Sequence, residues 1–376
     1  TRMIIKPSIC EPIGHTYVYR ETSYIMGDFM AKKTFLVMQI AATYIGTVVG
    51  AGFASGQSIM QFFTKYGAFG TMGIFVVSLL FIWIGTKMMV LAHRIRAFSY
   101  QELNNYLFGP AFGKIANGLT FVVLFGVTAV MLSGTGSIFE EQLGLPGQLG
   151  IMISIIWSYW VMTKDMKGIM AVNSWVTPLM LLFIVLVAVK TVGTGGEWKL
   201  PLWPHEPPSG WNWVVSPLTY AALNFAFVQA VMVPLGSEVK DESALRWGGF
   251  WGGAGLGVMM FVSHAAIYSR MPGIMRFDIP MAEIIRDFGT FFHIVFVFVI
   301  YGEIFTTLIG NVFGITRQIR NLYDLPRNGV VLAVLLACFA ISQAGFTSLV
   351  THLYPLFGSM GLILLVFLSV KRIPGN

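Results

Sequence analysis

From Phe35 to Val370 the chain is a succession of apolar runs, with no stretch between them long enough for a separate soluble domain. A helix needs roughly 20 mostly apolar residues to cross the hydrocarbon core of a bilayer. Backbone amides and carbonyls find no partners in hydrocarbon, so a spanning segment must be a helix or part of a closed barrel. The runs here are continuous and do not alternate in polarity, which selects helices over barrel strands. Composition agrees: 56% of the 376 residues are hydrophobic and 11% are charged, against about 25% charged in an average soluble domain.

Ten segments can be placed, approximately at 35–63, 71–92, 115–138, 148–163, 169–192, 214–236, 247–268, 290–315, 329–343 and 346–369. Small or turn-forming residues interrupt the first and sixth, and only Gln343-Ala344-Gly345 separates the last two. Positively charged connections tend to stay cytoplasmic, so Lys and Arg test the count. One alternating set of connections carries fifteen: Lys32, Lys33, Lys87, Arg94, Arg96, Lys114, Lys164, Lys167, Lys240, Arg246, Arg317, Arg320, Arg327, Lys371 and Arg372. The other carries six, Lys65, Lys190, Lys199, Arg270, Arg276 and Arg286, partly offset by Glu140, Glu141, Glu197, Glu206, Asp278, Glu283 and Asp287. Shifting the count by one span would destroy this bias, and both ends are expected in the cytoplasm.

The net charge of +7 is spread one to four residues at a time beside apolar runs, which fits membrane topology and not a nucleic-acid patch. Cys10 and Cys338 supply neither a metal cluster nor a disulfide framework. Residues 1–29 lack an apolar core of signal-peptide length and precede Met30-Ala-Lys-Lys, so they read as a tail outside a single membrane domain of residues 30–376, with a regulatory tail as the alternative. Within that domain the spans divide into two blocks of five, 35–192 and 214–370, joined by a Trp/Pro/Gly-rich external linker from Gly193 to Asn212. Because five is odd, the blocks must lie in the membrane with opposite orientation, the inverted repeat common among secondary transporters. Two amphipathic stretches lie outside the spans: Ser99 to Phe112 on the cytoplasmic side, and Pro280 to Phe288 on the external side, readable as interfacial packing or as a lid.

Chemistry is concentrated in three places. Gly46-Thr47-Val48-Val49-Gly50-Ala51-Gly52-Phe53-Ala54-Ser55-Gly56-Gln57, midway through the first span, holds four glycines in eleven residues, each worth up to about 1 kcal/mol against a helix interior. A break there would free carbonyls near Gly46 to Gly50 for a cation, and would aim amides near Gly52 to Gln57 at an anion. Close helix packing through small residues is the alternative. In the sixth span, Asn224 and Gln229 are polar at membrane depth, Phe225 and Phe227 are wall or packing residues, and Pro234 removes an amide donor. In the eighth, Glu303 is a carboxyl where burial is costly, and the hydroxyls of Thr306 and Thr307 with the Glu303 carbonyl offer three oxygens to a monovalent cation. Hydroxyls bonding back to their own helix are the alternative there, and Glu303 is also a candidate proton carrier. No HExxH, GxSxG or P-loop occurs, and His264, His293 and His352 stand singly, so no enzyme is expected.

The strings TYIGTVVGAGFASGQSIMQFF and MVPLGSEV resemble the bacterial YkvI-like membrane proteins, from Met30 onward. Ser58 stands where relatives are expected to carry an acidic residue. More distantly the chain resembles the amino acid-polyamine-organocation superfamily, which implies a LeuT-type fold with a five-plus-five inverted repeat and broken first and sixth helices. The resemblance implies a sodium site at Gly46, Val49, Glu303, Thr306 and Thr307. It also implies a substrate site at Gly50, Ala51, Gly52, Phe53, Ser55 and Gly56 with Asn224, Phe225 and Ala226. Sodium-independent relatives place a lysine within the fifth span, whereas Lys167 and Lys190 lie at or beyond its ends. The expected protein is a secondary transporter in a bacterial inner membrane that moves a small organic solute, an amino acid among the candidates, coupled to sodium or protons. It needs no cofactor beyond a coupling ion and no nucleic-acid partner. The competing reading is a membrane receptor that kept the fold and lost coupling.

Overall fold

The computed structural model describes residues 16–193, 210–277 and 279–374. Residues 1–15 of the expected tail, with Cys10, and residues 194–209 of the expected linker lie outside them. Every regular element among the described residues is helical. In chain order these are α1 (Thr16–Val48), α2 (Ala51–Ala54), α3 (Gln57–Phe62), α4 (Ala68–Leu80), α5 (Thr86–Ile95), α6 (Tyr100–Ser137), α7 (Gly147–Met162), α8 (Asp165–Gly193), α9 (Asn212–Glu238), α10 (Glu242–Tyr268), α11 (Pro280–Arg286), α12 (Thr290–Leu322), α13 (Arg327–Ser342) and α14 (Phe346–Val370). A π-turn over Phe81–Gly85 joins α4 to α5 in one continuous span.

Each of the ten expected segments is helical. Seven helices among the described residues are long and apolar enough to cross a bilayer. The segments at 148–163 and 329–343 form 16-residue helices, about 24 Å long at 1.5 Å per residue. Large apolar side chains cover the outer faces, including Phe75, Trp157, Trp175, Phe298 and Ile363, as expected where lipid takes the place of water.

Local sequence sets the ends and bends. Ser99 and Glu102 form a capping box before α6: Glu102 N donates to Ser99 Oγ at 3.4 Å and Phe98 N donates to Glu102 Oε2 at 2.8 Å. Gly109, at φ 78°, turns the chain before Pro110. The amphipathic stretch from Ser99 is therefore a short helical limb set off from the rest of α6 by the kink at Gly109, and it packs back on the span, where Asn104 Nδ2 donates to Asn117 Oδ1 at 3.0 Å. Asp241 caps α10 by accepting from Ser243 N and Ala244 N.

The packing pairs correspond between the two blocks. α1 packs on α8 as α9 packs on α14, α1 packs on α10 as α9 packs on α4 and α5, α6 on α13 is matched by α12 on α7, and α6 packs on α12 itself. Small residues permit these approaches: Gly248 and Gly252 of α10 face Ile40 and Tyr44, and Gly358 and Gly361 of α14 face Thr219 and Ala222.

Candidate functional site

The first span does break where its glycines fall. α1 ends at Val48, Gly50 is extended (φ −96°, ψ −167°), α2 makes a single turn, and Gly56 takes a left-handed φ of 87° before α3 begins. Only a residue without a Cβ adopts that conformation readily. A Cβ there would also approach Ile267 and Met281 to 2.9 Å. The first amide after the break, Ala51 N, lies 3.2 Å from the Met131 sulfur, and the Tyr354 ring covers Gly52.

Before the break, α1 carbonyls converge on α12. Thr306 Oγ1 lies 2.7 Å from Gly46 O and 2.8 Å from its own-helix Glu303 O. Thr307 Oγ1 lies 3.1 Å from Gly46 O, 3.2 Å from Thr47 O and 3.3 Å from Val49 O. A hydroxyl has one proton and donates to one acceptor at a time, so this cage has more oxygen acceptors than donors. The structure thus brings together all five residues expected at the cation: Gly46, Val49, Glu303, Thr306 and Thr307. Two residues of α8 that the sequence reading missed pack against Gly46. A Cβ on Gly46 would lie 1.8 Å from Asn173 Oδ1 and 2.7 Å from Thr177 Oγ1. Asn173 is fully buried and its Oδ1 makes no hydrogen bond. The available signal was an amide at membrane depth in the fifth span, of the same kind that drew notice to Asn224. Glu303, Thr307 and Asn311 recur every four residues along one face of α12. All three are fully buried, and both carboxyl oxygens of Glu303 and both amide atoms of Asn311 are without hydrogen bonds.

The sixth span departs from expectation. α9 runs unbroken from Asn212 to Glu238. Between residues 213 and 235 it contains no glycine; Asn224 Nδ2 donates to Tyr220 O at 2.8 Å, and Gln229 Nε2 donates to Ala226 O at 3.0 Å and across to Thr120 Oγ1 of α6 at 3.1 Å. Pro234 removes one donor without ending the helix. Phe225 packs edge-on against Phe81 at 5.5 Å, and Ala226 lines a small cavity with Asn104 and Thr120. Tyr220, one turn before Asn224, packs tilted against Phe62 at 5.4 Å and edge-on against Phe63 at 5.1 Å, both in the segment after the break. Tyr354 and Tyr220 are therefore aromatic neighbours of the broken region, and neither was singled out as a binding residue from sequence.

On the other side of the break lies α11, the stretch readable in sequence as interfacial packing or as a lid. Met281 N donates to Ser55 O at 3.0 Å and Gln57 Nε2 to Phe277 O at 2.9 Å, and Met281, Ala282 and Ile285 are buried. The isolated histidines are hydrogen-bonding groups: His264 Nδ1 and Nε2 each lie 3.0 Å from the hydroxyls of Thr64 and Thr71.

The class of protein this architecture defines is a helical membrane protein with the fold of a known symporter. A solved structure of a Na+-coupled sialic acid symporter, substrate-bound and outward-open, matches 89% of this chain and 79% of that chain at a TM-score of 0.64 with 11% identity. No protein-family model matches the chain. It is 39% identical over 341 residues to the uncharacterized membrane protein YkvI of Bacillus subtilis, covering 89% of this chain and 96% of that protein. It is 27% identical over 329 residues to the uncharacterized protein YyaD of the same organism. The chain belongs to the YkvI family of membrane proteins.

Proposed function

We propose that the chain is an ion-coupled secondary transporter of a small organic solute, working by alternating access. The observation that carries this reading is the cage of Gly46, Thr47 and Val49 carbonyls around the Thr307 hydroxyl, with Thr306 beside it. In a water-poor interior, surplus oxygen acceptors repel one another unless a cation lies among them, and hydroxyl and carbonyl oxygens suit a hard ion. Sodium is the coupling ion proposed, with Asn173 Oδ1 as a further ligand. The pairing of α1 with α8 and α10, repeated by α9 with α14, α4 and α5, supports ten spans in two inverted blocks, 35–192 and 214–370; the Lys and Arg bias of the connections favours both termini on the cytoplasmic side of a bacterial inner membrane. In this reading the sixth span contributes an intact helix.

The substrate site is proposed at Gly50, Ala51, Gly52, Phe53, Ser55 and Gly56, faced by Asn224, Tyr220 and Tyr354, with Phe225 and Ala226 supporting the helix behind. No charged side chain is among these residues, which favours a solute held by backbone and hydroxyl groups, and amino acids are the first class to test. α11 acts as the external lid. Purified protein in liposomes, given an inward sodium gradient and a panel of amino acids and small amines, is expected to accumulate one solute class above its external concentration. Equal accumulation with potassium replacing sodium would contradict sodium coupling, and saturable binding without uptake would favour a receptor. Glu303, buried without a hydrogen bond at either oxygen, marks a proton as the other coupling ion. Uptake by Glu303→Gln that follows sodium but no longer responds to a pH gradient would assign it that role.

A further inference from the structure

A second polar cavity opens at the far end of α12, lined by Met162, Glu238, Thr316, Arg317, Arg320 and Arg327, with a volume of about 280 Å³. One water needs only about 10–15 Å³ by the same measure. Four elements build it: the ends of α7, α9 and α12 and the start of α13. Three guanidiniums share it with one carboxylate, and that carboxylate, Glu238 Oε1, stands 3.9 Å from Arg317 Nη1, at the limit of an ion pair. The Arg317 guanidinium is steadied over the Phe313 ring at 5.6 Å, and Arg327 Nη2 donates to Met162 O at 2.5 Å. Arginine stays protonated at any physiological pH, so the cavity lining itself carries three positive charges against one carboxylate.

Basic residues at a helix C-terminus complement its dipole, and this alone would account for Arg320. It does not account for the cavity, or for Thr316. The Thr316 side chain lines the same space, is 3% exposed, and its hydroxyl makes no hydrogen bond. A buried hydroxyl normally finds a partner, and this one lies beside three guanidiniums whose planar forks match the oxygens of a phosphate group. Thr316 is nine residues beyond Thr307 on α12, about 13 Å along the axis, so the cavity is separate from the cation cage.

We infer that this cavity is an anion site that takes a phosphate group, held by Arg317, Arg320 and Arg327 with the Thr316 hydroxyl donating. The phosphate belongs either to an anionic lipid headgroup or to a free anion, and one experiment separates these. The full chain is reconstituted in nanodiscs of phosphatidylcholine alone or with phosphatidylglycerol. Its Tm is read in potassium phosphate against potassium chloride at matched ionic strength, for the wild type, Arg320→Gln and Thr316→Val. A rise in wild-type Tm with phosphate in the neutral lipid assigns a free anion, and a rise with phosphatidylglycerol but not with phosphate assigns a headgroup. In either case the rise is expected to be lost in Arg320→Gln, whose exposed side chain is not needed for folding, and reduced in Thr316→Val. No rise under any condition, or rises of equal size in wild type and Arg320→Gln, would overturn the assignment.

Discussion

Thr307 carries much of the account, because three carbonyls of α1 reach one hydroxyl that can answer only one of them. Thr307→Val removes that oxygen at nearly constant volume and is expected to weaken sodium binding at least tenfold, or about 1.4 kcal/mol, whereas Thr307→Ser should retain most of it. Sodium titration followed by intrinsic fluorescence would show the difference. Gly46→Ala tests the approach of α8, since its Cβ would collide with Asn173 Oδ1 at 1.8 Å. Overpacking of this kind costs about 1–3 kcal/mol, so a thermal melt should fall by several degrees, and Gly46→Ala with Asn173→Ala should recover part of the loss. The glycine cluster from Gly46 to Gly56 and the Thr306–Thr307 pair stand out in sequence because they are local patterns, whereas the grouping of Gly46 and Val49 with Glu303, Thr306 and Thr307 came from the family resemblance. Asn173 and Tyr354 were not legible, because nothing in their local sequence separates them from the other polar residues of α8 and α14, and only tertiary packing brings them to the broken span.

At the scale of elements, the broken first span and the intact sixth make an instructive pair. Both were expected to break. In the first, Gly56 adopts a left-handed conformation that costs residues with a Cβ, whereas in α9 Asn224 donates to a carbonyl of its own helix and Gln229 divides its amide between its own helix and Thr120 of α6. A polar side chain in a span therefore signals a partner nearby and not necessarily a break, and two prolines, Pro217 and Pro234, leave most of the α9 ladder intact. Gly56→Ala is expected to destabilise the protein by about 1–2 kcal/mol from backbone conformation alone, with added strain against Met281 on the lid. Its checkable sign is a lowered Tm together with lost solute uptake. A Tm unchanged within a degree would mean that the left-handed turn is not required.

Across the whole molecule, charge at one membrane face ties distant parts of the chain together. Lys33 pairs with Asp241 at 3.1 Å, and Arg94 and Arg246 both grip Glu242. Partial burial pushes the Asp241 carboxyl up, but hydrogen bonds from Lys33 and from the amides of Ala244 and Ser243 outweigh it and hold the group below the usual range. A carboxylate depressed in the folded state stabilises above its unfolded pKa of about 3.9 and loses that contribution as pH falls through the folded value. Asp241→Asn should therefore lower Tm at pH 7 by more than at pH 3. The ten apolar segments and the basic-residue bias were legible because bilayer thickness and charge asymmetry act on single segments. The matched packing of the two blocks was not, since no residue-level repetition accompanies it. A reporter fused after Asn376 and one placed before Met30 are expected to lie on the same side of the membrane.

The most direct test of the central claim needs no knowledge of the substrate. The Tm of the purified protein is measured across a sodium series with potassium held complementary, for the wild type and for Thr306→Ala with Thr307→Ala. A ligand that binds the native state raises its stability with concentration, so the wild type is expected to gain Tm with sodium and the double variant to show no gain. A wild type indifferent to sodium, or a double variant that responds as the wild type does, would contradict the cation cage between α1 and α12.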